Sequence, residues 1–542
     1  MDDQIVSGTQ ALSSEQENKP AEPGNLTVIN GAKLIPRETP ETRKLKENYR
    51  FFGPVTALYA IFYVLCMFKN HSGITYPFFV AGSLFYFYYA MKRLELTWKS
   101  GSAFYVVSMM LLALSTCCTD DFRIMALNKI GIFLLMISFL ITQFFDTREW
   151  GFFKFASAIP TILLTAIGEL PRPVEDMKGF TKKKESNGTR KGVYVFFGIL
   201  ICIPLLIIVA ALLSSADVLF RQVTETMIIN VNPGNVIDVG FRILTCYFVV
   251  YMLVAILCKK NLSEEVKDHR KGEPVLAITV TSMLSIMYIC FSAIQIFGLF
   301  LGQMELPEGY TYAKYAREGF FQLLAVAILN LVIVLLCLAL FRESKVLKVI
   351  LTIMSLCTFI MIASSAMRMI LYIGSYNLTF LRILVLWALA VLTLMFLGVV
   401  IQIFNDQFPL FRYCMIVVTV FYVGLAFSHP DYIVAKFNLE NVNGPLDYRY
   451  LSELCADAAP VLVPYLEEQG YDLSVVQIPK DEGKESGYWF ELRRRLGTED
   501  IWRFKAEGFG YYFLEKVNDV YLNMGIRDFN LSRYLALKAA LK

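Results

Sequence analysis

The chain has 542 residues, of which 56% are hydrophobic and only 18% charged, with a formal net charge of +4. Soluble domains carry about 25% charged residues, so an ordinary soluble protein is excluded, and the small net charge gives no global signal for nucleic acid. The informative quantity is where the positive residues fall between the apolar runs.

Residues 1–50 are polar, rich in Ser, Gln, Glu and Pro at first and then basic (Lys33, Arg37, Arg43, Lys44, Lys46, Arg50). They read as a disordered cytoplasmic tail. Twelve apolar segments follow, at 54–69, 74–92, 101–118, 126–145, 152–168, 192–213, 238–258, 274–301, 319–341, 346–373, 378–404 and 409–428. A helix needs about 20 residues to cross a hydrocarbon core, so 54–69 and 152–168 are marginal. Basic clusters follow the tail at Lys92, Arg93 and Lys99, in the loop 169–191 and in the loop 259–273, whereas the hairpin Thr119-Asp120-Asp121 is acidic. Positive loops stay in the cytoplasm, and all of these are placed there if 152–168 does not cross, or if it crosses and another marginal span is lost; the first is preferred. That segment therefore reads as re-entrant or surface-lying, leaving eleven spans and an exported C-terminus. Residues 429–542 become charged and lack long apolar runs, which describes a small soluble domain. In it Leu446 to Leu466 has helical apolar spacing, Pro479 to Gly487 reads as a loop, and 488–538 as helix. The fold class expected is thus all-α: a polytopic transmembrane bundle over 51–428, with about eleven or twelve spans, carrying a mainly helical domain.

The eleven cysteines are scattered and form no C-x-x-C pair, so they read as small apolar side chains. Three separated histidines, His71, His269 and His429, do not suggest a metal site, and no cofactor is indicated. There is no H-E-x-x-H, G-x-S-x-G or Walker-type glycine loop. Gln143, Gln295, Asn330 and Gln402 are isolated polar groups within spans, a pattern that serves bonds between helices.

The stretch Gly309 to Asn330, GYTYAKYAREGFFQLLAVAILN, runs from a charged aromatic approach into an apolar span. As one helix over 310–328 it places Tyr310, Lys314, Arg317 and Phe321 on one face, and Tyr312, Tyr315 and Gly319 on the other. The expected topology brings Asp217, Arg221, Arg242, Lys314, Arg317, Glu318, Arg368 and Arg382 to the outer side. Two readings compete there. Arg368 and Arg382 lie near span ends and can snorkel, and Lys314 can pair with Glu318. Alternatively Arg317, Arg368 and Arg382, with Lys314, Tyr310, Tyr312, Tyr315, Glu318 and Asp217, form a pocket for an anion such as a lipid headgroup or envelope precursor, because the guanidinium fork binds phosphate and carboxylate.

The run just quoted, SSAMRMILYIGSYNLTFLR at 364–382, HPDYIVAKFNL at 429–439 and RDFNLSRYLA at 527–536 together resemble a family of bacterial multi-pass membrane proteins. It is the domain of unknown function numbered forty-one seventy-three. The resemblance is best over 190–440 and implies a protein of the bacterial cytoplasmic membrane, without implying a reaction, cofactor or catalytic residue. Three functions are carried forward in order. The first is a non-enzymatic envelope protein that binds, signals or scaffolds, with lipid and an envelope protein at 429–542 as partners. A transporter or lipid flippase comes second, and an intramembrane transferase or hydrolase, with Asp217 as its acid, third.

Overall fold

A computed structural model describes residues 38–70, 72–148, 150–183, 233–260, 270–297, 319–441, 446–468 and 526–540, together with a few single positions between them. Helices account for the regular structure of these residues, and no β-strand occurs among them. Beyond α1 (Pro40–Glu47), the bundle contains α2 (Tyr49–Met67), α3 (Thr75–Arg93), α4 (Ser102–Cys118), α5 (Phe122–Phe144), α6 (Phe152–Ala166) and α7 (Arg172–Lys183). It continues with α8 (Pro233–Lys259), α9 (Pro274–Gln295), α10 (Phe320–Leu340), α11 (Lys345–Tyr376), α12 (Phe380–Phe404) and α13 (Leu410–Phe427). Eleven of the twelve apolar segments coincide with these helices to within a few residues; the segment 192–213 lies outside the described residues. Nine helices among the described residues are long and apolar enough to cross a membrane. The remaining two, α3 and α4, run beside α2 and α5 in the same core.

Neighbouring helices alternate in direction, so the bundle has two chemically distinct ends. At one end Thr39 donates to the Cys258 carbonyl at 2.6 Å, Arg93 lies over Phe51, Lys99 bonds the Phe145 carbonyl at 2.7 Å, and Arg270 pairs with Glu343 at 2.8 Å. The basic tail and basic loops meet here, and we call it the basic end. At the other end the hairpins after α2, α4 and α11 meet α14 (Pro430–Glu440), α15 (Tyr448–Ser452), α16 (Ala459–Glu468) and α17 (Leu531–Ala540). These four helices form a cap with its own core of Val434, Leu451, Leu454, Leu462, Leu466 and Ala536.

Helix α6 counts among the nine by length and composition, yet both of its ends lie at the basic end. Phe155 stacks on Phe411, the second residue of α13, with ring centroids 4.1 Å apart. Glu169, closing the 3-10 turn after α6, meets Lys259 at the end of α8 at 2.6 Å. Phe155, Ala158, Ile162 and Ala166 are buried as one stripe, while Leu164 and Ile167 are exposed.

Three expectations change. The last residues of the tail are not disordered: Thr39 caps α1 from its hydroxyl, Pro40 opens it, and Leu45 is fully buried. The span after 309 is not one helix over 310–328, because Gly319 takes a left-handed φ of +112° and α10 starts at Phe320. A side chain at Gly319 would strain that φ, and its Cβ would lie 2.7 Å from Nη1 of Arg368. The apolar spacing of Leu446 to Leu466 is split between α15, a 3-10 turn at Ala456–Ala458 and α16, because Cys455 turns extended and gives its N–H to Asp431. The loop expected at 479–487 lies outside the described residues, as does most of the helix expected at 488–538; its last part is α17.

Candidate functional site

The densest group of buried charge among the described residues sits where the cap meets the bundle. Its centre is the hairpin between α4 and α5. Asp121 caps α5, taking the Arg123 N–H at 2.9 Å, and the same carboxylate receives the Arg123 fork at 2.8 Å from both Nε and Nη2. Nη2 also reaches Asp431, in the first turn of α14, at 2.6 Å. The second oxygen of Asp431 accepts the Cys455 N–H at 2.9 Å, and the Arg123 guanidinium lies 3.8 Å over the Phe380 ring. Both carboxylates are 1% exposed and Arg123 31%, so the charges are neutralised by one another rather than by water.

Beside this triad stands Asp457, on the 3-10 turn. Its oxygens accept from the Thr119 hydroxyl at 2.6 Å, the Asp120 N–H at 2.8 Å, the Ser532 hydroxyl, and His429 Nδ1 at 3.0 Å. Burial raises the pKa of Asp457, but these bonds outweigh it and hold the carboxyl below its usual range. The same bond to Asp457 raises His429 against its own burial, so the two partners agree. His429 occupies a left-handed backbone, φ 48°, at the turn into α14. On the far side, Asn530 caps α17 and donates to the Thr119 carbonyl at 2.9 Å, while Arg533 meets Asp120 at 2.6 Å. Four separate stretches of chain are thus tied to one hairpin.

Donor atoms of Asp121, Asp431 and Cys455 all lie within 4.8 Å of one another, a spacing a metal ion accepts. The chemistry does not suit one. Arg123 already supplies the positive charge to both carboxylates, and burial pushes the Cys455 thiol well up, whereas a metal ligand must be thiolate.

Of the arginines expected to form an anion pocket, Arg368 and Arg382 are described; Asp217, Tyr310, Tyr312, Lys314, Tyr315, Arg317 and Glu318 lie outside the described residues. Arg368 does not snorkel. Helix α11 continues two turns beyond it, its side chain is buried, and Nη2 bonds Gln295 of α9 at 3.1 Å, beside the Ser364 hydroxyl on the same amide oxygen. Arg382 is also buried: it bonds the carbonyls of Tyr376 (2.8 Å) and Asn377 and lies 4.0 Å over the Tyr372 ring. It is a cation at the C-terminus of α11, where the helix dipole and unpaired carbonyls favour one. Asn330 behaves as its isolated polarity suggests, donating to Thr358 at 2.9 Å.

A family model matches residues 106–465, two thirds of the chain. The chain belongs to the Domain of unknown function (DUF4153) family. An uncharacterised multi-pass membrane family is the kind expected from the motifs, and the matching model bears the number 4153 where the resemblance pointed to 4173. The DUF4153 match begins at Val106, well before 190, and it contains Thr119 to Arg123, His429 to Asp431 and Cys455 to Asp457, leaving Asn530 to Arg533 beyond its end. No curated protein and no solved structure matches the chain.

Arg123, Asp431, His429 and Asp457 were not singled out from sequence. Each stands at a helix end, where a lone charge reads as a cap. The signal available was that the acidic hairpin and HPDYIVAKFNL lie at the same side of the expected topology.

Proposed function

We propose that this multi-pass membrane protein is a non-enzymatic scaffold or signalling protein of the bacterial cytoplasmic membrane. Its bundle anchors the cap as a fixed platform for an envelope partner. The observation that carries this reading is the saturation of the buried cluster. Every oxygen of Asp121, Asp431 and Asp457 is engaged, by groups that join cap to bundle (Arg123, Thr119, the Asp120 N–H) or that hold the cap together (the Cys455 N–H, Ser532), and this favours a structural role for these carboxylates over one as base or nucleophile. The basic loops gather at the end opposite the cap, and the positive-inside rule then favours a cytoplasmic N-terminus and an exported C-terminal domain. An anion site built on Arg317, Arg368 and Arg382 belongs to the same outer surface. The engagement of Arg382 by the carbonyls at the end of α11 and by the Tyr372 ring favours the platform over that site.

The test pairs two measurements. Photo-crosslinkers at the exposed cap positions Tyr432 and Lys436 are expected to capture a defined envelope protein in intact cells, and to lose it when Arg123→Gln loosens the cap. Purified full-length chain in liposomes is expected to leave phospholipid flip-flop and solute uptake at the protein-free rate. Acceleration of either would replace the scaffold with a transporter or flippase.

A further inference from the structure

We propose that a cleft at the basic end, opposite the cap, binds the phosphate headgroup of a membrane phospholipid. The cleft, a cavity of about 990 Å³, lies between α1, the start of α2, the end of α3 and α7. That volume is in the range of small-molecule sites.

Its charges sort themselves by pairing. Arg43 is committed to Glu47 at 3.5 Å, Lys46 to Glu38, and Asp176 to Arg172 at 3.3 Å and the Tyr251 hydroxyl at 2.9 Å. Arg50 and Arg93 line the cavity without a carboxylate partner among the described residues, and Glu175 lines it without a cation. The Arg93 guanidinium lies 4.8 Å over the Phe51 ring, and Phe51 and Phe180 give the cleft an apolar wall.

The cavity therefore offers two uncommitted guanidinium forks, one carboxylate and aromatic surface. Guanidinium forks match phosphate oxygens, and a carboxylate beside them favours a headgroup that also carries an ammonium. The location selects lipid over solute. Arg50 is the second residue of α2 and Arg93 the last of α3, so both mark the level where apolar helices leave hydrocarbon. An arginine that only snorkels lies alone along the lipid surface, whereas these two, both exposed, line one open cleft together with Phe51, Phe180 and Glu175.

The test uses full-length protein, delipidated in detergent. Native mass spectrometry and melting are followed on adding phosphatidylethanolamine, phosphatidylglycerol, phosphatidylcholine or inorganic phosphate. Wild type is expected to retain one phosphatidylethanolamine at least about ten-fold more strongly than Arg50→Gln/Arg93→Gln, since two charge-assisted bonds are lost. Arg342→Gln, also at the basic end but outside the cleft, is expected to bind as wild type. Should the double glutamine variant not fold, Arg50→Lys/Arg93→Lys keeps both charges and decides: weaker retention supports the fork, and wild-type retention overturns it. Equal retention by the glutamine variant overturns the site. A full melting shift from inorganic phosphate alone overturns the lipid assignment. Glu175→Gln is expected to remove the preference for ethanolamine over glycerol headgroups, and an unchanged preference overturns the ammonium contact.

Discussion

Nδ1 of His429 lies 3.0 Å from Oδ2 of Asp457, joining the end of the last bundle helix to the 3-10 turn between α15 and α16 of the cap. The histidine is raised above its ordinary 6.5, chiefly by this bond, and also faces the Cys118 thiol; Asp457 is held below its ordinary 3.8. A raised histidine contributes stability that is complete below the unfolded value and is lost as pH climbs through the folded one. A depressed carboxyl contributes stability above its unfolded value that is lost as pH falls through the folded one. The contribution of this pair to docking of the cap is thus expected to be full between about 4 and 6.5 and to weaken above that range. Hydrogen exchange at amides 459–466 checks it: protection should fall on the alkaline side in wild type, and His429→Gln should flatten that limb. A limb that survives in the variant assigns the change to another group.

Arg123 neutralises two carboxylates that have almost no access to water, so removing it costs more than its own bonds. Arg123→Gln leaves Asp121 and Asp431 buried together, and the expected loss is about 3 kcal/mol, the lower end for a broken buried pair because the guanidinium is partly exposed. Adding Asp121→Asn and Asp431→Asn removes the stranded charges and is expected to recover much of the loss. Melting of the three proteins in one detergent measures this. A triple variant no more stable than Arg123→Gln would show that the hydrogen-bond geometry, rather than the stranded charge, sets the cost.

The bundle was readable because hydropathy acts over whole segments: apolar runs such as 274–301, 346–373 and 378–404 need no partner to be recognised, and α9, α11 and α12 follow them closely. The sites were not, because they depend on pairs far apart in the chain. Asp431 and Cys455 look ordinary until the fold brings them together, and the bond between them breaks a helix that local spacing alone predicts. Helix α1 is polar overall, and its buried Thr42 and Leu45 face a bundle end that sequence periodicity cannot supply. The expected pocket shows the converse. Arg368 and Arg382 stand out as charges near the ends of apolar runs, but the dipole and carbonyls at the end of α11 are tertiary facts that give Arg382 a structural task.

That task separates two outcomes for the arginines. Arg382→Lys keeps the charge but cannot bond two carbonyls and lie flat on Tyr372, so basal melting is expected to fall by the equivalent of about 1–2 kcal/mol, without any ligand. Gly319→Ala is expected to be as harmful, since it combines a left-handed φ with a Cβ pressed on Arg368. Melting with and without added anionic lipid reads both. An anion pocket would instead leave basal melting of Arg382→Lys unchanged and abolish only the lipid-dependent increment.

The placement of α6 decides the topology of everything after it. If Phe152 to Glu169 crossed the membrane, the ends of the helix would face opposite compartments, and Glu169 could not pair with Lys259 at the end where Phe155 packs on Phe411. Single cysteines placed at Arg148 and Arg172 in a background without accessible thiols should therefore label from the same side. By the positive-inside rule that side is the cytoplasm, so both should be blocked to an impermeant maleimide in intact cells and open in inverted vesicles. A phosphatase fused after Lys542 should be active in the same cells, because the eleven crossings expected from the sequence, 192–213 among them, put the tail and the cap on opposite sides. Labelling of the two cysteines from opposite sides would make α6 a true span and, with the other spans unchanged, would return the cap to the cytoplasm, where the fused phosphatase would be silent.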